Sequence, residues 1–220
     1  MDFNKARFNM VEQQVRPWEV FDPRLLESLG HLPRELFMPA GLASLAYVDM
    51  EVPLAAGAVM LAPRVQARMV QDAAIEPGQR VLEVGTGTGY MAALMALQTG
   101  PTGSVLTLER DEALASQARA HLAQLGLLQV SVRQADGAQG AAAQGPFDAI
   151  ILSGSVAEVP RELLEQLKPG GRLVAIVGEA PTMRATVYTR SEGEGWTQTQ
   201  PWDVNTARLE GFAETSTFRF

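Results

Sequence analysis

The run VLEVGTGTGY, residues 81–90, sets Gly85, Gly87 and Gly89 at alternate positions between a short apolar stretch and the start of a helical pattern. Glycine reaches positive φ at little cost and carries no Cβ, so such a turn lets a ligand lie against bare backbone. A dinucleotide fingerprint places its third glycine one residue later, where this chain has Tyr90. The spacing therefore favours S-adenosylmethionine over a nicotinamide dinucleotide, with Thr86 and Tyr90 completing the contact surface. A tight turn with no ligand would use the same glycines. The flanking strand and helix favour a site.

Acidic residues then fall where a nucleoside could use them. Glu109 closes the apolar run LTLE, 20 residues after Gly89. Ligands of an open α/β sheet sit outside the carboxyl ends of its strands, so Glu109 can accept hydrogen bonds from both ribose hydroxyls, with Arg110 beside it. The bland alternative is a solvated Glu paired with Arg110. Asp136-Gly137 follows the next strand-like run and suits an adenine amino group, although an ordinary Asp-Gly turn reads the same way. Glu83 lies inside the motif strand. A carboxylate there is costly unless hydrogen-bonded, so it either braces the glycine turn or faces the cationic end of the cofactor.

Composition narrows the partners. The formal net charge is −7, so the clustered Lys and Arg that bind phosphate are lacking and a nucleic-acid partner is not expected. There is no cysteine, which removes thiolate nucleophiles, disulfides and Cys-based zinc sites, and no metal is expected. The isolated His31 and His121 read as surface or packing residues. The first ten residues mix Asp2, Lys5 and Arg7 with apolar ones, unlike a secretory signal, and no stretch approaches the roughly 18 apolar residues of a membrane span. Cytoplasmic location is the default expectation.

The elements that must position these residues follow from periodicity. Phe8, Val11, Val15 and Trp18 mark a first helix limited by Pro17, and Asp22-Pro23 caps a second. A loop carries Pro33, Pro39 and Pro53; a helix runs from Pro63 to Pro77-Gly78. Strands at 81–84, 105–109, 130–133, 147–152 and 173–177 then alternate with helices at 90–97, 112–125 and 160–167, the pattern of a parallel sheet covered on both faces. The tail breaks the alternation, and 183–190 with 196–204 reads as an antiparallel edge hairpin. The expected architecture is one α/β domain with a Rossmann-like, mainly parallel sheet and strand 81–84 at its centre. Residues 1–78 form a helical extension and 79–220 the cofactor-binding core.

These residues resemble a family, the protein-L-isoaspartate O-methyltransferases. The likeness runs through MVEQQV (10–15), PRELFMP (33–39), YVDMEVPL (47–54), the glycine motif, ADG (135–137), PFDAIILSG (146–154) and VPRELLEQLKPGGRLVAIVG (159–178). It implies repair of isoaspartyl residues in damaged proteins by methylation of a free carboxylate, and cofactor contacts at Glu83, Gly85, Glu109 and Asp136. Ser153 joins the candidate set from PFDAIILSG. Before the helix at Pro63 the family usually reads Thr-Ile-Ser-x-Pro, its serine lying at the reaction site. This chain has Val59, Met60, Leu61, Ala62 and Pro63. Val59, Met60 and Leu61 are thus the substrate-side candidates, no catalytic residue is assigned, and weak isoaspartyl activity is expected unless Ser153 or a backbone N–H supplies the lost donor. A carboxylate acceptor is ionised at neutral pH and needs no general base. Two other readings stay open: a same-fold methyltransferase with another acceptor, and a cofactor-binding protein without catalysis.

Overall fold

A computed structural model describes residues 1–214. Asp2 accepts a hydrogen bond from the Lys5 N–H and opens α1 (Phe3–Met10), which continues through a π turn (Val11–Val15) into a single 3-10 turn at Pro17. Asp22 caps α2 (Pro23–His31) by accepting from the Arg24 and Leu25 N–H groups, as the Asp-Pro pair required. A two-stranded antiparallel ribbon, β1 (Val52–Pro53) and β2 (Val59–Met60), precedes α3 (Pro63–Ala73). The alternating part follows as β3 (Arg80–Val84), α4 (Tyr90–Thr99), β4 (Ser104–Glu109), α5 (Glu112–Gln124), β5 (Val130–Gln134), β6 (Phe147–Val156), α6 (Arg161–Leu164) and β7 (Leu167–Glu179). The tail supplies β8 (Thr182–Arg190) and β9 (Trp196–Asp203).

The main sheet has seven strands in the order β5-β4-β3-β6-β7-β8-β9, parallel up to β7 and antiparallel beyond it. The chain steps outward from β3 to β5, then returns to place β6 on the other side of β3. That reversal opens a crevice at the carboxyl ends of β3 and β6, the usual ligand position in such sheets. One apolar cluster joins α1, α2 and α3 to α4 and one sheet face; a second, with Leu82, Phe147, Leu163 and Phe212, fills the other face. Helices therefore cover both faces, as expected.

Three expectations need correcting. β6, not β3, takes the middle position, because the two edge strands β8 and β9 lengthen the sheet on its far side. The helix after Pro160 spans only Arg161–Leu164, and β7 begins at Leu167, so Pro169-Gly170-Gly171 lies within the strand rather than before it. A Cβ on Gly171 would sit 2.9 Å from the Asp148 carbonyl, so the glycine lets the two backbones pair closely enough to extend the ladder. Phe8 is 64% exposed; Met10, Val11 and Val15 form the buried side of the first helical stretch instead.

Ile151 lies in the middle strand and is fully buried, whereas Leu128 is 90% exposed. Ile151→Ala is expected to cost about 2–5 kcal/mol in urea unfolding, against about 0.5 kcal/mol or less for Leu128→Ala. Equal losses would contradict this packing.

Candidate active site

The glycine turn joins β3 to α4 with positive φ at all three glycines, +91° at Gly85, +53° at Gly87 and +97° at Gly89. They serve different neighbours. Gly85 and Gly87 line a cavity of about 370 Å³ at the carboxyl ends of the strands. Gly89 instead lets α5 approach, since a Cβ there would stand 3.2 Å from that of Ala118. The turn is held mainly by its neighbours. Gly85 and Thr86 N–H donate to the Leu108 carbonyl at 2.9 and 3.3 Å, and His121 Nδ1–H donates to the Thr88 carbonyl at 2.9 Å. Thr86 and Thr107 hydroxyls meet at 2.5 Å.

Glu109, at the end of β4, is nearly buried and lines the cavity. Its Oε2 accepts from the Gly87 N–H at 2.7 Å and its Oε1 from the Asp111 N–H at 3.0 Å. Two bonds leave lone pairs on each oxygen free for a ligand. Glu83 is fully buried and also held at both oxygens: Ser153 donates to Oε1 and Thr107 to Oε2, each at 2.7 Å. Burial pushes its carboxyl up to about 8, against the partial relief given by the two hydroxyls. Of the two roles considered for Glu83, these contacts give the brace: Glu83 to Thr107 to Thr86 ties β3 and β4 to the turn. Ser153 is committed to this brace, so it is not a spare donor for an acceptor.

Asp136 is exposed at the rim, where its carboxylate accepts from the Ala138 N–H at 3.1 Å; it is Ala135 and Gly137 that line the cavity. A Cβ on Gly137 would overlap Val84 at 2.2 Å, so only glycine lets this turn close on β3. Arg110 lines the outer wall and pairs with Glu210 at 3.5 Å. Val59 reaches the cavity, whereas Met60 and Leu61 line a smaller adjoining cleft with Thr86, Thr88 and Tyr90. Leu61 is buried, and its carbonyl accepts from Arg34 at 2.7 Å. His31 contacts only the Glu27 carbonyl, far from the cavity walls.

Sequence reasoning missed the stretch after β9. Ser155 N–H donates to the Ala207 carbonyl at 2.9 Å and Leu209 N–H to the Ser155 carbonyl at 2.8 Å, which lays residues 207–210 across the carboxyl end of β6 as part of the cavity wall. Leu209 fills the space above Gly85 and Gly154, where added Cβ atoms would meet it at 2.7 and 2.8 Å. No periodic or motif signal marks this stretch. Gly154 alone was visible, at the end of PFDAIILSG.

The cavity fits an adenosyl group with an amino-acid end: its volume lies in the range of small-ligand sites, the glycine cradle is one that side chains would fill, and an anchored carboxylate with unused lone pairs stands in its wall. Fold and site together define a class I methyltransferase, an enzyme that uses S-adenosylmethionine as methyl donor. The sequence pattern of the Protein-L-isoaspartate(D-aspartate) O-methyltransferase family matches residues 6–205, and the chain belongs to that family. It is 41% identical over 194 residues to the protein-L-isoaspartate O-methyltransferase of Brucella anthropi, covering 88% of each chain, and 38% identical over 190 residues to that of Koribacter versatilis, covering 86% of this chain and 84% of the relative. Among solved structures, a protein-L-isoaspartate O-methyltransferase superposes with a TM-score of 0.82 at 24% identity, over 93% of this chain and 66% of that longer one. A Plasmodium falciparum protein described as a putative member, in complex with S-adenosyl-L-homocysteine, gives 0.78 at 20% identity over 96% of this chain and 99% of its own. These two likenesses bear on the fold.

The raised Glu83 carboxyl links stability to pH. Its folded value of about 8 exceeds the ordinary 4.5, so its contribution is complete below about pH 4.5 and is lost as pH rises through about 8. Glu83→Gln is expected to flatten that decline in urea unfolding between about pH 5 and about pH 8.5, by on the order of a few kcal/mol. Parallel pH profiles for parent and variant would show that Glu83 does not titrate in this range.

Proposed function

We propose that this protein methylates the free carboxylate of isoaspartyl residues in proteins or peptides. The observation that carries the reading is the Glu109 carboxylate, fixed on the Gly87 and Asp111 N–H groups in the cavity wall with lone pairs to spare. In this reading Glu109 accepts the two ribose hydroxyls, the backbone at Gly85 and Gly87 lies under the methionyl part, and Gly137 with Asp136 borders the adenine. When bound, S-adenosylmethionine supplies a methyl group on a sulfonium, open to in-line attack. The protein's task is to align the acceptor with that methyl and to exclude water. Leu54, Leu61 and Leu209 offer the apolar walls for the second task.

An ionised carboxylate needs no base, which suits a site where neither histidine reaches the cavity wall. The net charge of −7 works against a phosphate-rich acceptor, and among the described residues no helix is long and apolar enough to cross a membrane. The absence of Ser at position 61 weighs less than the motif suggested. Thr88 and Tyr90 place two hydroxyls in the walls of the cleft that Leu61 lines, so turnover without the family's serine is expected.

Glu109→Ala removes charge-assisted hydrogen bonds worth about 1.5–3 kcal/mol each, so S-adenosylhomocysteine affinity is expected to fall by at least about tenfold in titration calorimetry. Unchanged affinity would remove Glu109 from the site. Incubation with methyl-labelled cofactor is expected to label a peptide containing an isoaspartyl linkage and to spare the same peptide with an ordinary aspartyl one. Label in neither peptide, from a protein that binds the cofactor, would overturn the substrate assignment.

A further inference from the structure

Arg34 heads the side chains that the fold buries completely, and no carboxylate pairs with it among the described residues. A lone buried guanidinium is costly unless its surroundings compensate it. Here the compensation comes from neutral groups. Arg34 donates to the Leu61 carbonyl at 2.7 Å and to Gln66 Oε1, and its guanidinium lies 4.5 Å from the centre of the Tyr90 ring. Leu61, Gln66 and Tyr90 all line the small cleft beside the glycine turn. Arg34 is therefore one layer behind that cleft.

Two further groups in the cleft walls, Thr88 Oγ1 and Tyr90 Oη, are buried without a hydrogen-bond partner. Burial raises the Tyr90 pKa, which keeps the phenol protonated and able to donate. The one acid in the walls, Glu83, has both oxygens engaged by Ser153 and Thr107. Val59, Gly85, Gly87 and Ser153 line both spaces, so the cleft adjoins the main cavity. Its volume of about 20 Å³ has room for about one oxygen-sized group.

We propose that this cleft is a carboxylate subsite, receiving one ligand oxygen on Thr88 Oγ1 and Tyr90 Oη with Arg34 as the buried countercharge. Two ligands carry the required group. One is the amino-acid end of the cofactor; the other is the isoaspartyl acceptor, and that assignment alone rests on the function proposed above. In either case Arg34 has two effects. It holds the Leu61 peptide in place and offsets the negative charge brought into a closed, apolar wall.

The test is titration calorimetry of the parent, Tyr90→Phe, Thr88→Val, Arg34→Met and Arg34→Lys. The probes are S-adenosylhomocysteine, 5′-methylthioadenosine, which lacks the amino-acid end, and, with S-adenosylhomocysteine present, an isoaspartyl peptide and its isoasparaginyl counterpart. If the cofactor carboxylate uses the cleft, Tyr90→Phe and Arg34→Met weaken S-adenosylhomocysteine by about tenfold or more and spare 5′-methylthioadenosine. If the acceptor uses it, they erase the preference for the isoaspartyl over the isoasparaginyl peptide. Arg34→Lys keeps the charge and retains more of that preference than Arg34→Met. Tyr90→Phe and Thr88→Val each remove a hydroxyl at nearly constant volume, so they carry the test even if Arg34→Met does not fold. Parent-like binding of every probe by both hydroxyl variants overturns the subsite. A parent that binds no isoaspartyl peptide overturns the substrate assignment, and the cofactor comparison still decides the role of the cleft.

Discussion

The site depends on the attachment of the glycine turn to the end of β4. Residues 85–89 reverse into positive φ at every second position, a path with no regular hydrogen bonding of its own. The Leu108 carbonyl and the Glu109 carboxylate supply partners for three successive N–H groups, at Gly85, Thr86 and Gly87. Register between β3 and β4 sets this attachment, with Val84 opposite Leu108. A slip of one residue would move Glu109 off Gly87 and would turn the buried face of β4 outward as well. Sheet stability and site geometry are thereby coupled.

Around this attachment the fold keeps ionisable groups that burial alone would reject. Glu83 is retained through hydroxyls on two neighbouring strands, and its raised pKa reflects how incompletely they replace water. Arg34 is retained through a carbonyl, an amide oxygen and an aromatic face. Both groups lie within one residue layer of the same cleft. Hydrophobic residues of similar size would cost less, so the retention of an acid and a base on either side of one small space points to electrostatics as the property being maintained.

The C-terminal stretch completes the enclosure. Its backbone pairs with Ser155 near the end of β6, Leu209 rests on Gly85 and Gly154, and Phe212 anchors in the second apolar cluster. Gly85 thus leaves room for Leu209 as well as for a ligand. Pairing of residues 207–209 with β6 follows from the position of β6 in the middle of the sheet, next to β3.

By itself the sequence determined the local features. Glycine spacing, the Asp22-Pro23 cap, the apolar runs and the acid closing β4 act over a few residues, and their physical meaning does not depend on what folds against them. They were enough for the α/β class, the edge hairpin, the cofactor and the turn that faces it, and the motif wording carried the family. Tertiary structure decided what depends on distant partners. It committed Ser153 to Glu83 across 70 residues, turned Gly89 toward α5, placed Leu209 over Gly85 and set Arg34 behind Leu61. An arginine in PRELFMP reads as a surface charge, because nothing in the neighbouring residues shows that it will lose its water. Burial and the choice of hydrogen-bond partner come from the packing of elements far apart in the chain, and for that reason local pattern could not reveal them.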